Sequence, residues 1–327
     1  MNLLTGPGLA ALMSLPGIGE VRAVALAEAF GSWQALAVAG EDHLVAILKP
    51  ATTAKVLPHL TEQPPALNLP AGVRVISIYD PEYPPRLRNI RKAPTLLWVT
   101  GTLPPPDAPA VAIVGTRNPT PFGEAAATQA ARGAVEHGIS VVSGLARGID
   151  SIAAQTAVSA GAPTWAVLGQ GVDTIEAGSD RATLADRILA TGGGLLAEVP
   201  PGTAVVKHLL TARNRIQSGL SDAVYIAQSG LPADGPAGTM HAARYALEHQ
   251  RMLVVPRPSG KWAAEPRSAG NLALTDPHGC DPAAVYADQP SLAAIVAARH
   301  PVADLVLNHR DDLPLLWQRL AAVPTPL

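Results

Sequence analysis

The sequence is poor in the residues that form disulfides and bind metals. Its 327 residues include one cysteine, Cys280, so no disulfide can form within the chain. No C-x-x-C pair or His/Cys cluster suggests a metal site. The chain also lacks the basic start of a signal peptide, and no apolar run approaches the roughly 20 residues that span a bilayer. We therefore expect a cytoplasmic protein with no metal, no cofactor and no membrane contact.

Positive charge is not in excess either. The formal net charge is −2, whereas proteins that bind nucleic acids contact phosphates mainly through lysine and arginine. One segment, residues 199–221, departs from this balance because it contains Lys207, Arg213 and Arg215 and no acidic residue. Taken alone, such a segment is more typical of a solvated surface.

Apolar residues are plentiful, at 48% of the chain, and from Ala110 onward they follow a regular pattern. Short apolar runs alternate with amphipathic helical segments, and the runs are VAIVG, SVVSG, TWAVLG, GLLAEV, DAVYIAQ and MLVVP. This alternation predicts an α/β protein with a mostly parallel, doubly wound, Rossmann-like sheet. Ligands of such sheets bind at the carboxyl ends of the strands.

The first part of the chain has a different pattern. Two helical stretches flank Leu-Pro-Gly-Ile-Gly, in which Gly17 and Gly19 permit a tight hairpin of the helix-hairpin-helix type. No basic residue lies in or just before the hairpin, so a packing role is favoured over a DNA contact. We predict a small helical domain over residues 1–65, a sheet domain over 66–280 and a short helical C-terminal segment over 281–327.

The strand-to-helix loops share a composition. GTRNPTPFG follows the first run, SGLARGID the second and GQGVD the third, and PAGTM precedes a late helix. Each loop combines glycine with a hydroxyl, amide or arginine side chain, which suits an anion bound at the strand ends. The G-x-G-x-x-G fingerprint of dinucleotide-binding proteins is absent.

Six motifs in order carry a resemblance to a known family: VAIVGTRNPTPFG, VVSGLARGID, AVLGQGVD, LLAEVPPGT, RNRIQSGLS and AGTMHAARYALEHQR. With them, residues Leu12 to Cys280 resemble the DprA/Smf DNA-processing family. The resemblance implies an extended Rossmann-like domain that binds single-stranded DNA and forms a homodimer. It further implies a partner, the recombinase RecA, which the family loads onto incoming strands during natural transformation.

The same resemblance assigns DNA-binding residues to this chain: Thr116, Arg117, Gly144, Arg147, Lys207, Arg213, Asn214, Arg215, Gly238 and Thr239. For Arg117, the guanidinium matches phosphate oxygens in a two-pronged contact. The alternative is a structural arginine that pins a loop carbonyl or pairs with an acid such as Glu198 or Asp150.

Some positions depart from the family pattern. Ala154 stands where a histidine is usual, and Gln228 replaces an acid at the end of a strand. Residues 209–212, LLTA, replace an aromatic that could stack on a base. Since base stacking contributes about 1–3 kcal/mol per base, we expect DNA binding to be weaker or to use another platform.

Two other functions stay open. Nucleotide hydrolases of the LOG phosphoribohydrolase type use a P-G-G-x-G-T-x-x-E turn, but Ala242 occupies the glutamate position here. No catalytic Ser/His/Asp or Cys/His order is present, so we expect no enzyme, although Asp150, Asp173 and Glu198 at strand ends keep catalysis open. The third possibility is a nucleotide sensor that uses the same loops.

Overall fold

The computed structural model describes residues 1–231, 238–276, 294, 298–299 and 301–323. Cys280 lies outside these residues. Within them, every helix is too short or too polar to span a bilayer.

The N-terminal part is helical, as its sequence predicts. Its helices are α1 Gly6–Met13, α2 Glu20–Phe30, α3 Trp33–Ala37, α4 Glu41–Leu48 and α5 Pro50–Val56. Gly17, with φ of 77°, turns the chain between α1 and α2, and Leu15 and Ile18 are buried on either side of it. Arg22 donates from Nη1 to the Gly17 carbonyl oxygen at 2.8 Å. The helix-hairpin-helix arrangement is therefore confirmed.

A single nine-stranded sheet forms the centre of the molecule. Its strands are β1 Val73–Ser77, β2 Leu96–Gly101, β3 Ala110–Gly115, β4 Ser140–Ser143, β5 Thr164–Leu168, β6 Gly194–Ala197, β7 Ala223–Gln228, β8 Met252–Pro256 and β9 Leu305–Leu307. Their order is β1-β2-β6-β5-β4-β3-β7-β8-β9. β2 is antiparallel to both β1 and β6, and the other neighbouring pairs are parallel. The predicted mostly parallel, doubly wound sheet is confirmed.

Helices follow the strands and cover both faces of the sheet. They are α6 Pro85–Arg88, α7 Pro121–Glu136, α8 Ile149–Ser159, α9 Asp180–Ala190, α10 Lys207–Ala212, α11 Asn214–Gly219, α12 Gly238–Glu248, α13 Ala269–Thr275 and α14 Leu313–Ala321. All residues of β4, β5, β6 and β7 are buried. Continuous burial explains why these strands appear in the sequence as apolar runs without alternation.

The N-terminal helices pack against one edge of this sheet. Their buried leucines share a core with Val75 of β1 and with Leu96 and Trp98 of β2. A hydrogen bond of 2.9 Å from the Gly6 backbone N–H to Asp80 Oδ2 joins the two parts. The helical part is thus continuous with the sheet through a shared hydrophobic core.

The C-terminal segment differs from its purely helical prediction. β9 adds a parallel strand beside β8, and α14 buries Leu316, Trp317 and Leu320 in the core that α7 covers. Trp317 lies directly over Gly133 of α7. Three apolar residues are too few to show a strand pattern, and β9 exists because β8 supplies its hydrogen-bond partners.

Candidate nucleic-acid interface

The loop after β3 is held by the end of β7. The Thr116 backbone N–H donates to the Gln228 carbonyl oxygen at 2.8 Å. The buried Gln228 side chain accepts from the Thr120 backbone N–H at 2.8 Å and donates to Thr120 Oγ1 at 2.8 Å. An amide can both donate and accept, whereas a carboxylate can only accept. Gln228, a departure from the family pattern, is therefore suited to bracing this loop.

The loop after β4 packs directly on the loop after β3. Ile149 donates its backbone N–H to the Thr116 carbonyl oxygen at 3.2 Å. Gly148 has φ of 87°, and a Cβ there would lie 2.5 Å from that oxygen and 2.7 Å from the Arg117 carbonyl carbon. Only glycine allows this approach. The backbone of Arg117 is consequently fixed between two loops.

The side chain of Arg117, by contrast, is exposed. Within the part of the chain that the structure describes, its guanidinium has no hydrogen-bond acceptor or acidic partner. The carboxylates considered for it pair elsewhere, Asp150 with Arg213 and Glu198 with Arg215. The geometry therefore favours Arg117 as a free cation over Arg117 as a brace.

Arg147, in the loop after β4, lies on the same exposed surface. Its Nη2 donates to Asn118 Oδ1, and Arg267 Nη1 donates to the Asn118 carbonyl oxygen at 3.4 Å. Asn118 thus connects two exposed arginines beside Arg117.

Arg213 occupies a different position, inside the protein. Its Nη2 lies 2.9 Å from Asp150 Oδ2, and the two side chains are 8% and 6% exposed. Its Nη1 donates to the Val167 carbonyl oxygen at 3.1 Å. A Cβ on Gly144 would lie 1.0 Å from Arg213 Nη1, so glycine is required there to make room for the guanidinium.

The other two residues of the RNR segment also hold the structure together. Asn214 Nδ2 donates to the Gly238 carbonyl oxygen at 2.9 Å, which ties α11 to the start of α12. Arg215 pairs with Glu198 and donates from Nε to the Lys92 carbonyl oxygen at 3.0 Å. Because these donors are already occupied, the geometry favours bracing over direct phosphate contact for RNR, and their DNA contact stays an untested prediction.

Sequence reasoning missed Arg181, in the first turn of α9. Its Nε donates to the Leu145 carbonyl oxygen at 3.1 Å and its Nη2 to Gln170 Oε1 at 3.3 Å. No carboxylate of the described residues forms an ion pair with it. Burial, followed by the positive charges of Arg213 and Arg117, lowers the pKa of Arg181, and Glu176 partly offsets this. The dipole of α9 adds to the unfavourable positive potential.

We call Arg117, Arg181 and Arg213 the arginine cluster. Arg117 lies in the loop after β3, Arg181 in the first turn of α9 and Arg213 at the N-cap of α11. Among the residues that the structure describes, Arg213 is the member of the cluster with a paired carboxylate. Crowded guanidinium groups of this kind are stabilised by an anion. Arg181 directly follows a strand-end loop, and this position in the sequence could have identified it as a candidate site residue.

The remaining predicted residues extend this surface. Lys207 is exposed at the first position of α10. Thr239 is half-buried at the second position of α12, beside Gly238. Lys207 therefore offers a cation without an acidic partner among the residues described, while Gly238 serves as an acceptor for Asn214.

The three strand-end carboxylates that kept catalysis open are engaged in contacts within the protein. Asp173 Oδ1 accepts from the Gly202 backbone N–H at 2.8 Å, while Asp150 and Glu198 pair with arginines. Ala242 is buried in the core under α12. Over the residues described, no group of three or more His, Cys, Asp or Glu side chains could hold a metal ion. The strand-end rim thus presents exposed cations and backbone amides, while Glu176, exposed in the loop after β5, partly offsets the positive charge around Arg181.

His249, which follows α12, makes the stability of the protein depend on pH. Burial, then the charges of Arg251 and Arg215, lowers its pKa to about 4. In the unfolded chain a histidine titrates near 6.5, so the unfolded state binds more protons between these values. We expect stability to be complete above about pH 6.5 and to fall by about 1–2 kcal/mol toward pH 4, after allowance for solvent screening.

Urea denaturation of the protein and of His249→Phe at pH 7 and pH 4.5 measures this effect. The variant should lose less stability on acidification than the unchanged protein. An equal loss in both would show that carboxylates alone cause the pH dependence.

The sequence of this chain is similar to those of known proteins. A model of the family "DNA recombination-mediator protein A" matches residues 74–279. Protein Smf of Escherichia coli (strain K12) is 34% identical over 184 residues, 56% of this chain and 48% of that protein. DNA processing protein DprA of Streptococcus pneumoniae is 34% identical over 175 residues, 54% of this chain and 60% of that protein. The chain spans about half the length of the curated relatives it matches.

Solved structures show the same likeness. One is DNA processing protein A from Helicobacter pylori, whose structure was described for its unique single-stranded DNA binding mode. It aligns with a TM-score of 0.52 and 28% identity over 62% of this chain and 86% of that chain. DprA from Streptococcus pneumoniae aligns with a TM-score of 0.62 and 23% identity over 83% and 97% of the two chains, a likeness of fold. The family match spans more than half of the chain and includes the arginine cluster. This protein belongs to the DNA recombination-mediator protein A family.

Proposed function

We propose that this protein binds single-stranded DNA through the rim of the sheet that carries the arginine cluster. The observation that carries the proposal is the pair Arg117 and Arg181, two guanidinium groups without a carboxylate partner in the part of the chain that the structure describes. A phosphate would relieve their mutual repulsion and complete their hydrogen bonds. Family membership and the single-stranded DNA binding described for the Helicobacter pylori relative support the same ligand.

The proposed contacts are to the DNA backbone, so binding should be independent of sequence. Backbone amides and arginines hold phosphates, while sequence is read from base edges in a groove. Arg147 and Lys207 are both exposed and would extend the path of the strand. Other predicted residues would support this surface by bracing the loops and helices under it: Gly144, Arg213, Asn214, Arg215 and Gly238.

Binding rather than catalysis is the role that the rim supports. Asp150, Asp173 and Glu198 are each held by a hydrogen bond or ion pair, so none of them is placed as a free general base. Binding of a free nucleotide at the same cluster is the competing function.

The finer parts of the proposal come from the family resemblance alone. They are a homodimer formed by the sheet domain, delivery of the bound strand to RecA during natural transformation, and a cytoplasmic location. Light scattering at micromolar concentration tests the dimer, and a monomer there would contradict it.

Fluorescence anisotropy with single-stranded DNA, duplex DNA and free nucleotides, each across a salt series, tests the function. We expect the single strand to bind most tightly, with an affinity that falls as salt increases by a slope of about 0.7 per phosphate contact. Tighter binding to duplex DNA would contradict the proposal. Binding of free nucleotides without binding of the single strand would support the competing function.

A further inference from the structure

A depression between α10 and α12 lies next to the arginine cluster. Its lining residues are Lys207, His208, Thr211, Ala212 and Tyr245. Thr211 and Ala212 directly precede Arg213, so the depression opens beside the proposed path of the DNA. None of the functions described so far uses its aromatic residue, Tyr245.

Tyr245 is held in place by neighbours on α12 and directly after it. Its ring stacks on that of His249, with centroids 5.7 Å apart and an interplanar angle of 23°. Arg244 Cζ lies 4.5 Å from the centre of the Tyr245 ring, and His249 Nδ1 lies 3.1 Å from Ser218 Oγ. An aromatic ring that is already ordered loses little conformational freedom when a ligand packs against it.

The residues around the depression favour a ligand that carries a phosphate, such as a nucleotide, over a positively charged ligand. Lys207 and His208 are exposed on one wall, and none of the described residues that line the depression is acidic. The nearest carboxylate on α12, Glu248, is 3.5 Å from Arg244 Nε and is occupied by it. The exposed side chains of Val205 and Val206 add apolar surface just before Lys207.

A nucleotide of single-stranded DNA has the matching chemistry. Its phosphate can contact Lys207 while its base packs against an aromatic wall, a combination that recurs in proteins that bind single strands without sequence preference. We infer that the α10–α12 depression holds one base of the bound strand and that Tyr245 supplies the aromatic contact absent from residues 209–212. This inference rests on the proposed function.

Two oligomers of equal length and charge test the base contact: oligothymidine and a fully abasic sugar-phosphate chain. Tyr245→Ala should weaken oligothymidine binding by about 5- to 150-fold, the range typical of one stacked base. It should leave abasic binding and the salt slope unchanged, because Tyr245 contacts no phosphate. Tyr245→Phe should keep the affinity of the unchanged protein.

Two control variants separate this contact from others. Tyr79→Ala removes an exposed tyrosine outside the depression and should change neither affinity. Lys207→Ala should weaken both oligomers and lower the salt slope by about 0.7.

The outcomes test the base contact separately from the proposed binding of single-stranded DNA. If oligothymidine binds but Tyr245→Ala retains its affinity, or weakens both oligomers equally, the base contact is wrong and the proposed function stands. If the unchanged protein binds neither oligomer, both proposals are wrong.

Discussion

Arg213→Ala should lower the free energy of unfolding by about 3–5 kcal/mol. The substitution removes the partner of Asp150 and leaves a carboxylate buried without a counter-charge. It also removes the donor to the Val167 carbonyl oxygen and empties the space that Gly144 provides. Chemical denaturation monitored by circular dichroism measures the change. The expected effect is large because both side chains of the pair are less than one-tenth exposed, at 8% and 6%.

Arg257→Ala is the matched control. Arg257 Nη2 lies 2.8 Å from Asp276 Oδ2, but these side chains are 38% and 47% exposed. Removing an exposed pair should cost only about 0–1 kcal/mol, because water solvates the remaining charge. The double variant Arg213→Ala with Asp150→Ala should be less destabilised than the sum of its single variants. Equal losses for Arg213→Ala and Arg257→Ala would contradict a buried bracing role for Arg213.

The second large effect concerns DNA rather than stability. Replacing both Arg117 and Arg181 with alanine should weaken binding of single-stranded DNA at least about 100-fold, since a hydrogen bond to a charged group contributes about 1.5–3 kcal/mol. The salt slope should fall by about 1.4, twice the value for one phosphate contact on a single strand. Anisotropy across a salt series measures both quantities.

Two kinds of control variant make this test specific: lysine at both positions, and alanine at an arginine elsewhere on the surface. Lysine at both positions should preserve the salt slope but not the full affinity, because lysine cannot form the two-pronged contact. Arg132→Ala removes an exposed arginine from the second half of α7, which runs away from the strand ends, and should change neither quantity. A folded Arg117/Arg181 variant with unchanged affinity and slope would show that the cluster does not bind phosphate.

Stability measurements distinguish the two members of that pair. Arg117→Ala alone should leave the melting temperature unchanged, because its exposed guanidinium makes no hydrogen bond to the residues described. Arg181→Ala should lower it slightly, because Leu145 and Gln170 lose a donor. A marked loss of stability in Arg117→Ala would restore the alternative of a structural arginine.

Local patterns were sufficient to predict much of the fold. Apolar runs such as 110–114 and 223–227 alternate with helical segments, and this pattern alone indicates a parallel sheet because strand burial and helix amphipathicity are encoded within a few residues. The Gly17 hairpin was predictable for the same reason, since a positive φ is a property of one residue. β9 was not predictable, because a strand of three residues depends on pairing with β8.

The sequence by itself determined where the candidate site lies, since a glycine loop after a buried strand must emerge at the carboxyl edge of a parallel sheet. Only the tertiary structure decided what each arginine does there. Arg213 and Asp150 are separated by 63 positions along the chain, yet their pairing buries one arginine, while Arg117 stays exposed. Burial and pairing depend on residues distant in sequence, so the same side chain becomes a brace or a free cation only once the chain has folded.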